Sequence, residues 1–304
     1  MKDRLLKFRK RLKKINYNHL FIYVVLFSLS FIFLLPIIRM LSMTFMSESD
    51  LISPEVMWVP TEFTFKNIQV AITVMDYFKS LVSSVLFIGL LSVIQTIITG
   101  LTGFVFVRYH FKFKNALYAL IIVTFVVPIQ LFLITRQLTF VQFTDLTSIR
   151  MIGTMNPQLL FALLGQGVNS SIIILVFINF FKKVPFDLFE AAAIDGASAL
   201  QTFWHVTLKI SFSTVMVAFV FSFVWHWNDT IITSTFLGDS VQLLNSQLGL
   251  FDSLFGSRGG SNNNINEAYK MAATLLTMLP ILALYFITQK QFVQGIESSG
   301  ITGQ

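Results

Sequence analysis

The 304-residue sequence contains no cysteine, which excludes a disulfide framework, a thiolate metal site and a cysteine nucleophile. Charged residues are also scarce. They make up 12% of the chain, whereas soluble globular domains carry about 25%. Hydrophobic residues make up 55%. This balance excludes an ordinary soluble domain and indicates an integral membrane protein.

Several sequence patterns of enzymes are missing as well. The chain has no G-x-x-x-x-G-K-[ST] pattern, whose backbone N–H groups would cradle nucleotide phosphates. It has no zinc-ligand spacing, no nucleophile elbow and no dinucleotide-binding glycine signature. We therefore expect a non-catalytic protein with no catalytic residue, cofactor or metal site of its own.

What the sequence does contain is a set of six long charge-free runs, each of at least 19 residues. A spanning helix needs about 20 mainly apolar residues, and a charge at its centre costs roughly 2.5–3.5 kcal/mol on insertion scales. The runs predict an all-α polytopic membrane protein with a six-span domain over residues 20–289. The predicted spans are approximately 20–42, 80–107, 115–135, 157–181, 210–230 and 270–289.

The distribution of basic residues predicts the orientation of these spans. An even number of spans places both termini on one side, and that side carries 15 of the 22 Lys and Arg residues. The positive-inside rule assigns it to the cytoplasm, together with the segment 184–210. The net charge of +7 is thus explained by the membrane surface, and we expect no nucleic-acid partner.

The two ends of the chain differ in character from the spans. Residues 1–19 are basic, with apolar side chains at helical spacing, which predicts an amphipathic helix on the inner surface of the lipid bilayer. The alternative is the start of a signal peptide, although no small-x-small cleavage site follows. Residues 290–304 are expected to form a cytoplasmic tail.

The segment 184–210 is predicted to fold as two short helices in the cytoplasm. Pro185 and Asp187 favour a helix start, and good helix formers follow over 188–194. Gly196 favours a turn, and Ser198 can cap a second helix.

Several residues of this segment carry a resemblance to a known family. Glu190-Ala191-Ala192 followed by Asp195-Gly196-Ala197 resembles the EAA loop of ABC importer permeases. The flanking Pro185, Leu188 and 194–198 make the match similar to the carbohydrate branch, in particular the MalG-type subunit of maltose importers. Further matches are the Pro128-x-Gln130 and Trp227-Asn228-Asp229 patterns.

The resemblance implies a transmembrane permease subunit of an ATP-driven importer in a bacterial cell membrane. It would pass a sugar, with an oligosaccharide as the expected solute, from an extracytoplasmic binding protein into the cytoplasm. The implied partners are a nucleotide-binding ATPase subunit, which would hold the ATP and Mg²⁺, and a second, related permease. The residues implied in ATPase coupling are Leu188, Glu190, Ala191, Ala192, Asp195, Gly196, Ala197 and Phe203.

Polar side chains near or inside the spans are candidates for the translocation path. They are Gln130, Gln166, Asn169 and Asn228. Polar residues at such positions also serve as hydrogen-bonding partners of neighbouring helices, and both interpretations stay open.

Two other functions and two outer loops complete the expectations. An ABC permease for a non-sugar solute, such as glycerol phosphate or a peptide, would share the same coupling loop. A proton-coupled secondary transporter could use His226 with Asp229, although both lie near the end of a predicted span.

The acidic residues of 46–79 are expected to be solvated, and the outer loop 231–268 either reaches into the binding protein or is a passive linker.

Overall fold

The computed structural model describes residues 17–238, 240–259 and 265–300. The predicted amphipathic segment 1–19 therefore lies mostly outside the described residues, as does the end of the tail after residue 300. Within the described ranges the fold is helical, and the one β-type pairing is an isolated bridge between Met46 and Phe63.

Fifteen α-helices succeed one another along the described chain, joined by short 3₁₀ and π-helical turns. The first seven are α1 (Tyr17–Phe45), α2 (Glu48–Ile52), α3 (Lys66–Val74), α4 (Tyr77–Arg108), α5 (Lys114–Val126), α6 (Leu133–Thr147) and α7 (Asn156–Leu163). The remainder are α8 (Ser170–Phe181), α9 (Asp187–Ile194), α10 (Ala199–Thr202), α11 (Leu208–Ile210), α12 (Phe212–Asn228), α13 (Leu244–Gly249), α14 (Phe251–Ser257) and α15 (Ile265–Gly300).

The chain divides into two compact units, and the smaller comprises Met1–Ala71 with Gly260–Leu275. In it, the last turn of α1 would leave backbone carbonyls without partners. The buried Asn67 amide donates to three carbonyls at and just beyond this end, at 3.2 Å to Met43, 3.1 Å to Thr44 and 2.9 Å to Met46. Asn67 thereby ends α1 and fixes the chain that follows it.

The acidic residues of this unit are more ordered than the sequence analysis expects. Asp50 is 2% exposed, and its carboxylate accepts hydrogen bonds from the Thr61 hydroxyl and from the amides of Thr61 and Glu62. Glu48 forms an ion pair with Lys66 at 2.5 Å. The prediction that the acids of this loop are solvated is wrong for Asp50, because its carboxylate closes the turn between residues 50 and 62.

The larger unit comprises Ile72–Gly259 with Leu276–Gln304, and α4 is its central helix. The most extensive helix contacts in it are those of α4 with α8 and α12. Gly103 permits the first contact, since an added Cβ would lie 2.7 Å from the Cβ of Phe177. Small residues allow helices to approach in this way inside a membrane.

Long apolar helices support the membrane assignment, although several predicted spans are broken. Three helices are long and apolar enough to cross a bilayer, and two bent pairs raise the possible number to five. One of these pairs, α5 with the helical stretch Ile129–Thr147, bends by 100°. Pro128 explains the break, because proline lacks an N–H and drives the preceding Val127 into its extended conformation, with ψ of 121°.

Other boundaries also differ from the expectations. The predicted fourth span is interrupted between α7 and α8, where Gly165 and Asn169 have φ values of +68° and +53°. Arg136, which directly follows the predicted third span 115–135, lies inside α6. Short helices occupy much of the predicted loop 231–268, and α15 continues to Gly300 through most of the predicted tail.

The Asp50 turn should loosen in acid. The hydrogen bond from Thr61 holds the pKa of Asp50 below its ordinary value, so the carboxylate stabilises the turn above about pH 4 and this contribution is lost as the pH falls through the folded-state pKa. We expect amide protection at Thr61 and Glu62, corrected for intrinsic exchange, to decrease below about pH 4. In Asp50→Asn this protection should be weaker at neutral pH and independent of pH. Equal pH dependence in both proteins would contradict the assignment.

The close contact at Gly103 gives a matched pair of substitutions on α4. Gly103→Ala should destabilise the protein by about 1–3 kcal/mol, because the added methyl group forces α4 and α8 apart. At Gly89 an added Cβ would meet no atom within 4 Å, so Gly89→Ala should be neutral or stabilise by about 0.5–1 kcal/mol. Thermal unfolding in detergent measures both, and a lower Tm for Gly89→Ala than for Gly103→Ala would refute the packing.

Candidate functional site

A compact helical hairpin forms the first candidate site. It joins α9 and α10 through a turn at Gly196, whose φ is +79°. The Gly196 amide donates to Ala193 at 3.1 Å and the Ala197 amide donates to Ala192 at 2.9 Å, which are the two hydrogen bonds of a Schellman motif. The predicted turn is confirmed, and glycine suits it because other residues disfavour this φ.

The second helix of the hairpin begins with the predicted cap. Gln201 donates its amide to the Ser198 hydroxyl at 3.3 Å, and the Ser198 amide donates to the Gln201 side chain at 2.8 Å. This reciprocal capping box satisfies donors that the helix start leaves free. The position of Ser198 as helix cap is thus confirmed.

The inner side of the hairpin rests on a cluster of aromatic rings. The ring of Phe104, on α4, lies 6.0 Å from Phe189 and 5.5 Å from Phe203, measured between centroids. Phe177 and Phe181 of α8 belong to the same buried cluster. We call these five residues the aromatic anchor. It attaches both short helices of the hairpin to the long helices.

A cation adds to this attachment at the end of α4. The guanidinium carbon of Arg108 lies 4.1 Å from the ring centroid of Phe186 and 5.4 Å from that of Phe189. Such cation–π contacts contribute about 0.5–1 kcal/mol at exposed sites. Arg108 therefore does more than mark the end of a span, since it contacts the start of the hairpin.

The predicted coupling residues divide between the two sides of the hairpin. Phe203 is completely buried and Ala192 is 9% exposed, so Phe203 is a packing residue rather than a surface contact. Ala197 is half-buried. The exposed members are Leu188, Glu190, Ala191, Asp195 and Gly196.

The exposed side also presents apolar residues that the sequence analysis did not select. Ile194 is 86% exposed and Leu200 is 57% exposed. Exposed apolar patches rimmed by polar residues commonly mark protein or membrane interaction sites. We call Leu188, Glu190, Ile194, Asp195 and Leu200 the hairpin surface. Ile194 lies directly before Asp195 in the matched stretch 194–198, which was the available signal for its place on this surface.

A cavity of about 910 Å³ forms the second candidate site, at the breaks between α5 and α6 and between α7 and α8. It brings together three predicted path residues, Gln130, Gln166 and Asn169. Asn228 is not among its lining residues; its amide donates to Val224 of its own helix at 2.8 Å. Three of the four candidate path residues thus line one cavity, and their role in translocation stays a prediction.

A buried polar contact supports one wall of the cavity. The side-chain nitrogen of Gln95 donates to the carbonyl of Val168 at 2.8 Å, and the side-chain oxygen of Gln95 lies 2.5 Å from Nε2 of His226. Gly167 leaves room for this side chain, because an added Cβ would lie 2.5 Å from the Gln95 oxygen and would force it to move. The polar residue in the middle of the predicted second span was the available signal for this contact.

His226 and Asp229 have different partners. His226 contacts Gln95, whereas the Asp229 carboxylate accepts hydrogen bonds from the amides of Ile232 and Thr233 at 3.2 and 3.1 Å. Both side chains thus have structural partners in the larger unit. The geometry gives no support to a proton relay between them.

Comparisons with known proteins identify relatives over most of the chain. Residues 95–298 match the family described as "Binding-protein-dependent transport system inner membrane component". A putative ABC transporter permease protein ORF2 from Caldicellulosiruptor sp. is 28% identical over 88% of this chain and 91% of its own length. The diacetylchitobiose uptake system permease protein DasC from Streptomyces coelicolor is 26% identical over 88% of this chain and 91% of its own length.

A solved structure shares the fold. It is a chain of a bacterial ABC transporter involved in the import of the acidic polysaccharide alginate, with a TM-score of 0.72. The match covers 91% of this chain and 96% of that chain at 16% sequence identity. The fold is therefore that of an ABC importer permease.

The aromatic anchor should carry much of the stability of the hairpin. Phe203→Ala removes a completely buried ring and should cost about 3–5 kcal/mol. Its neighbour Trp204 is 43% exposed, so Trp204→Ala should cost less, about 1.5 kcal/mol at most. Thermal unfolding and amide exchange over residues 187–202 measure the difference, and comparable losses for the two variants would contradict the anchor.

Proposed function

The chain belongs to the family of inner membrane components of binding-protein-dependent transport systems, and from this membership we propose that it is the permease subunit of an ATP-driven sugar importer. It is a multi-pass protein of the bacterial membrane. In the proposed assembly an extracytoplasmic binding protein delivers the solute, and a second, related permease completes the pathway. A separate subunit binds ATP and Mg²⁺ and hydrolyses the ATP.

The observation that carries this proposal is the two-sided construction of the hairpin. One side is held by the buried rings of Phe104, Phe189 and Phe203, while the other displays apolar and acidic groups. We propose that the ATPase docks on the hairpin surface. Burial of Ile194 and Leu200 would supply apolar contact there, and Glu190 and Asp195 would pair with basic groups of the ATPase.

The proposed membrane topology has six spans, with both termini and the hairpin in the cytoplasm. Six segments can serve as spans: the three long apolar helices, the bent pair over 114–147, the helix α12 of the second bent pair and the shorter apolar helix Ser170–Phe181. The excess of basic residues on the side that carries residues 184–210 supports the orientation.

In the proposed mechanism the hairpin converts ATPase movement into movement of the long helices. ATP binding draws the two ATPase subunits together, and each carries a docked hairpin with it. The aromatic anchor transfers that displacement to α4 and α8, because α4 contributes Phe104 and α8 contributes Phe177 and Phe181 to it. Access to the pathway thereby alternates between the two sides of the membrane.

We propose that the solute is a sugar and that the 910 Å³ cavity belongs to its path. The cavity combines amide side chains with aromatic rings such as Phe106 and Phe140, and this combination suits sugar hydroxyls and sugar ring faces. The names of the relatives refer to diacetylchitobiose and to the polysaccharide alginate, which supports an oligosaccharide. A non-sugar solute is the alternative, and uptake of a solute panel separates the two.

Co-purification from cells that express the complete transport system tests the docking proposal. Ile194→Asp and Glu190→Lys should each reduce recovery of the ATPase on the tagged permease by at least about tenfold, since interface hot spots cost about 2 kcal/mol or more. The matched controls are Ile52→Asp and Glu55→Lys, which change exposed residues of the same types in the smaller unit. Both controls should retain the ATPase.

Membrane insertion is checked for every variant by its recovery in the detergent extract. Loss of the ATPase in the hairpin variants alone supports the proposal. If wild type binds no ATPase, or if all four variants behave alike, the hairpin is not the coupling element.

A further inference from the structure

The cavity contains a cation with unmet hydrogen-bonding capacity. Arg136, on α6, is half-buried, and one amino group of its guanidinium donates to the side-chain oxygen of Gln166 at 3.1 Å. The guanidinium carbon lies 4.7 Å from the ring centroid of Phe161. The second amino nitrogen, Nη1, is buried and has no hydrogen-bond partner among the described residues.

The charge of Arg136 is also not neutralised by the cavity wall. Among the described residues that line the cavity, Arg136 is the one charged side chain, and none is Asp or Glu. The ion pair between Glu48 and Lys66 lies in the other unit. Gln166 is a neutral acceptor and satisfies only one of five guanidinium N–H donors.

An unpaired guanidinium at such a position is costly to keep. Removing a charge from water without a counter-charge is unfavourable, and ionisable residues within membrane segments commonly mark solute or ion paths. A planar guanidinium matches the two oxygens of a carboxylate or phosphate. The missing counter-charge is therefore one that a solute can bring.

The neighbouring groups suit the rest of such a solute. Gln130 and Asn169 line the same cavity and can exchange hydrogen bonds with hydroxyl groups. Hydroxyl side chains, including Thr135 and Thr139, lie within one turn of Arg136 on α6 and also line the cavity. The site thus combines one anion-binding group with several neutral polar groups.

We propose that this cavity binds an anionic sugar, in which a carboxylate or phosphate group pairs with Arg136. The inference rests on the proposed import of sugars and narrows it to a class of solute. Arg136 is a specificity-determining residue in this scheme, and Gln166 orients its guanidinium.

Binding measured on the assembled membrane complex tests the inference. The permease pair with its ATPase is placed in nanodiscs of zwitterionic lipid. The binding protein is left out, so that its own solute specificity does not affect the measured binding. The probes are trigalacturonate, the uncharged maltotriose and glucose 6-phosphate, and empty nanodiscs correct for binding to lipid. Trigalacturonate or glucose 6-phosphate should bind at least about tenfold more tightly than maltotriose, as one charge-assisted pair provides. The probe that shows the preference distinguishes carboxylate from phosphate.

Three variants connect the preference to Arg136. Arg136→Gln should abolish the preference, so that the anionic probes bind no more tightly than maltotriose to the same variant. Arg136→Lys should retain part of the preference, because it keeps the charge but loses the planar fork. Arg150→Gln is the matched control. Arg150 is exposed, does not line the cavity and donates to the carbonyl of Ile152, so this variant should behave as wild type.

The outcomes separate this inference from the function on which it rests. If wild type binds maltotriose as tightly as both anionic probes, or if the preference survives in Arg136→Gln, the inference is overturned. In either case a complex that retains its ATPase leaves the importer proposal standing. If no ATPase assembles with the wild-type permease, the importer proposal itself fails.

Discussion

The breaks in the apolar helices depend on one constraint, which is that backbone groups inside a bilayer must find hydrogen-bond partners within the protein. The interruption between α7 and α8 meets it locally and at a distance. The Gln166 amide donates to Phe161 at 2.7 Å, and the Ser170 amide donates to Gly167 at 3.1 Å. Gln95, far away in sequence, donates to the Val168 carbonyl. Because these groups are satisfied, the chain can leave the helical path there and leave space for a cavity beside it.

The same long helix connects the cavity to the hairpin. Gln95 supports the cavity wall, while Phe104 and Arg108, further along α4, contact the hairpin. Gln95 and Phe104 are nine residues apart, or about 13 Å along a helix axis. Between them, Gly103 lets α4 approach Phe177 closely. A movement applied to the aromatic anchor therefore acts on an element that also forms the cavity wall, which gives the proposed coupling a physical route.

The turn and the helix cap of the hairpin could be predicted from the sequence, because each depends on residues only a few positions apart. The φ of Gly196 and the capping role of Ser198 follow from residue chemistry over a few positions. The burial of Phe203 could not be predicted in this way, because it depends on rings from α4 and α8. The predicted third span ends at residue 135, directly before Arg136, because charge-free runs defined the spans. The structure instead places Arg136 in a helix that follows a proline break.

The hydrogen bonds of Asp50 and the local contact of Asn228 show the same limit on a smaller scale. An acidic residue in a polar segment is normally solvated, and only the chain that returns at Thr61 makes Asp50 a buried acceptor. An amide near a span can face a solute path or its own helix, and Asn228 donates to Val224. Composition distinguishes neither case, because both depend on which backbone groups lie within reach.

The shortness of α8 bears on how the chain enters the membrane during its synthesis. Its 12 residues extend about 18 Å, whereas the hydrocarbon layer is about 30 Å thick. In the proposed topology a segment of this length is too short to cross the hydrocarbon layer unaided. The long helix α4 is synthesised earlier and offers Gly100 and Gly103 as a surface for Phe177. The order of helices along the chain thus places the long helix in the nascent chain before the short segment that packs on it.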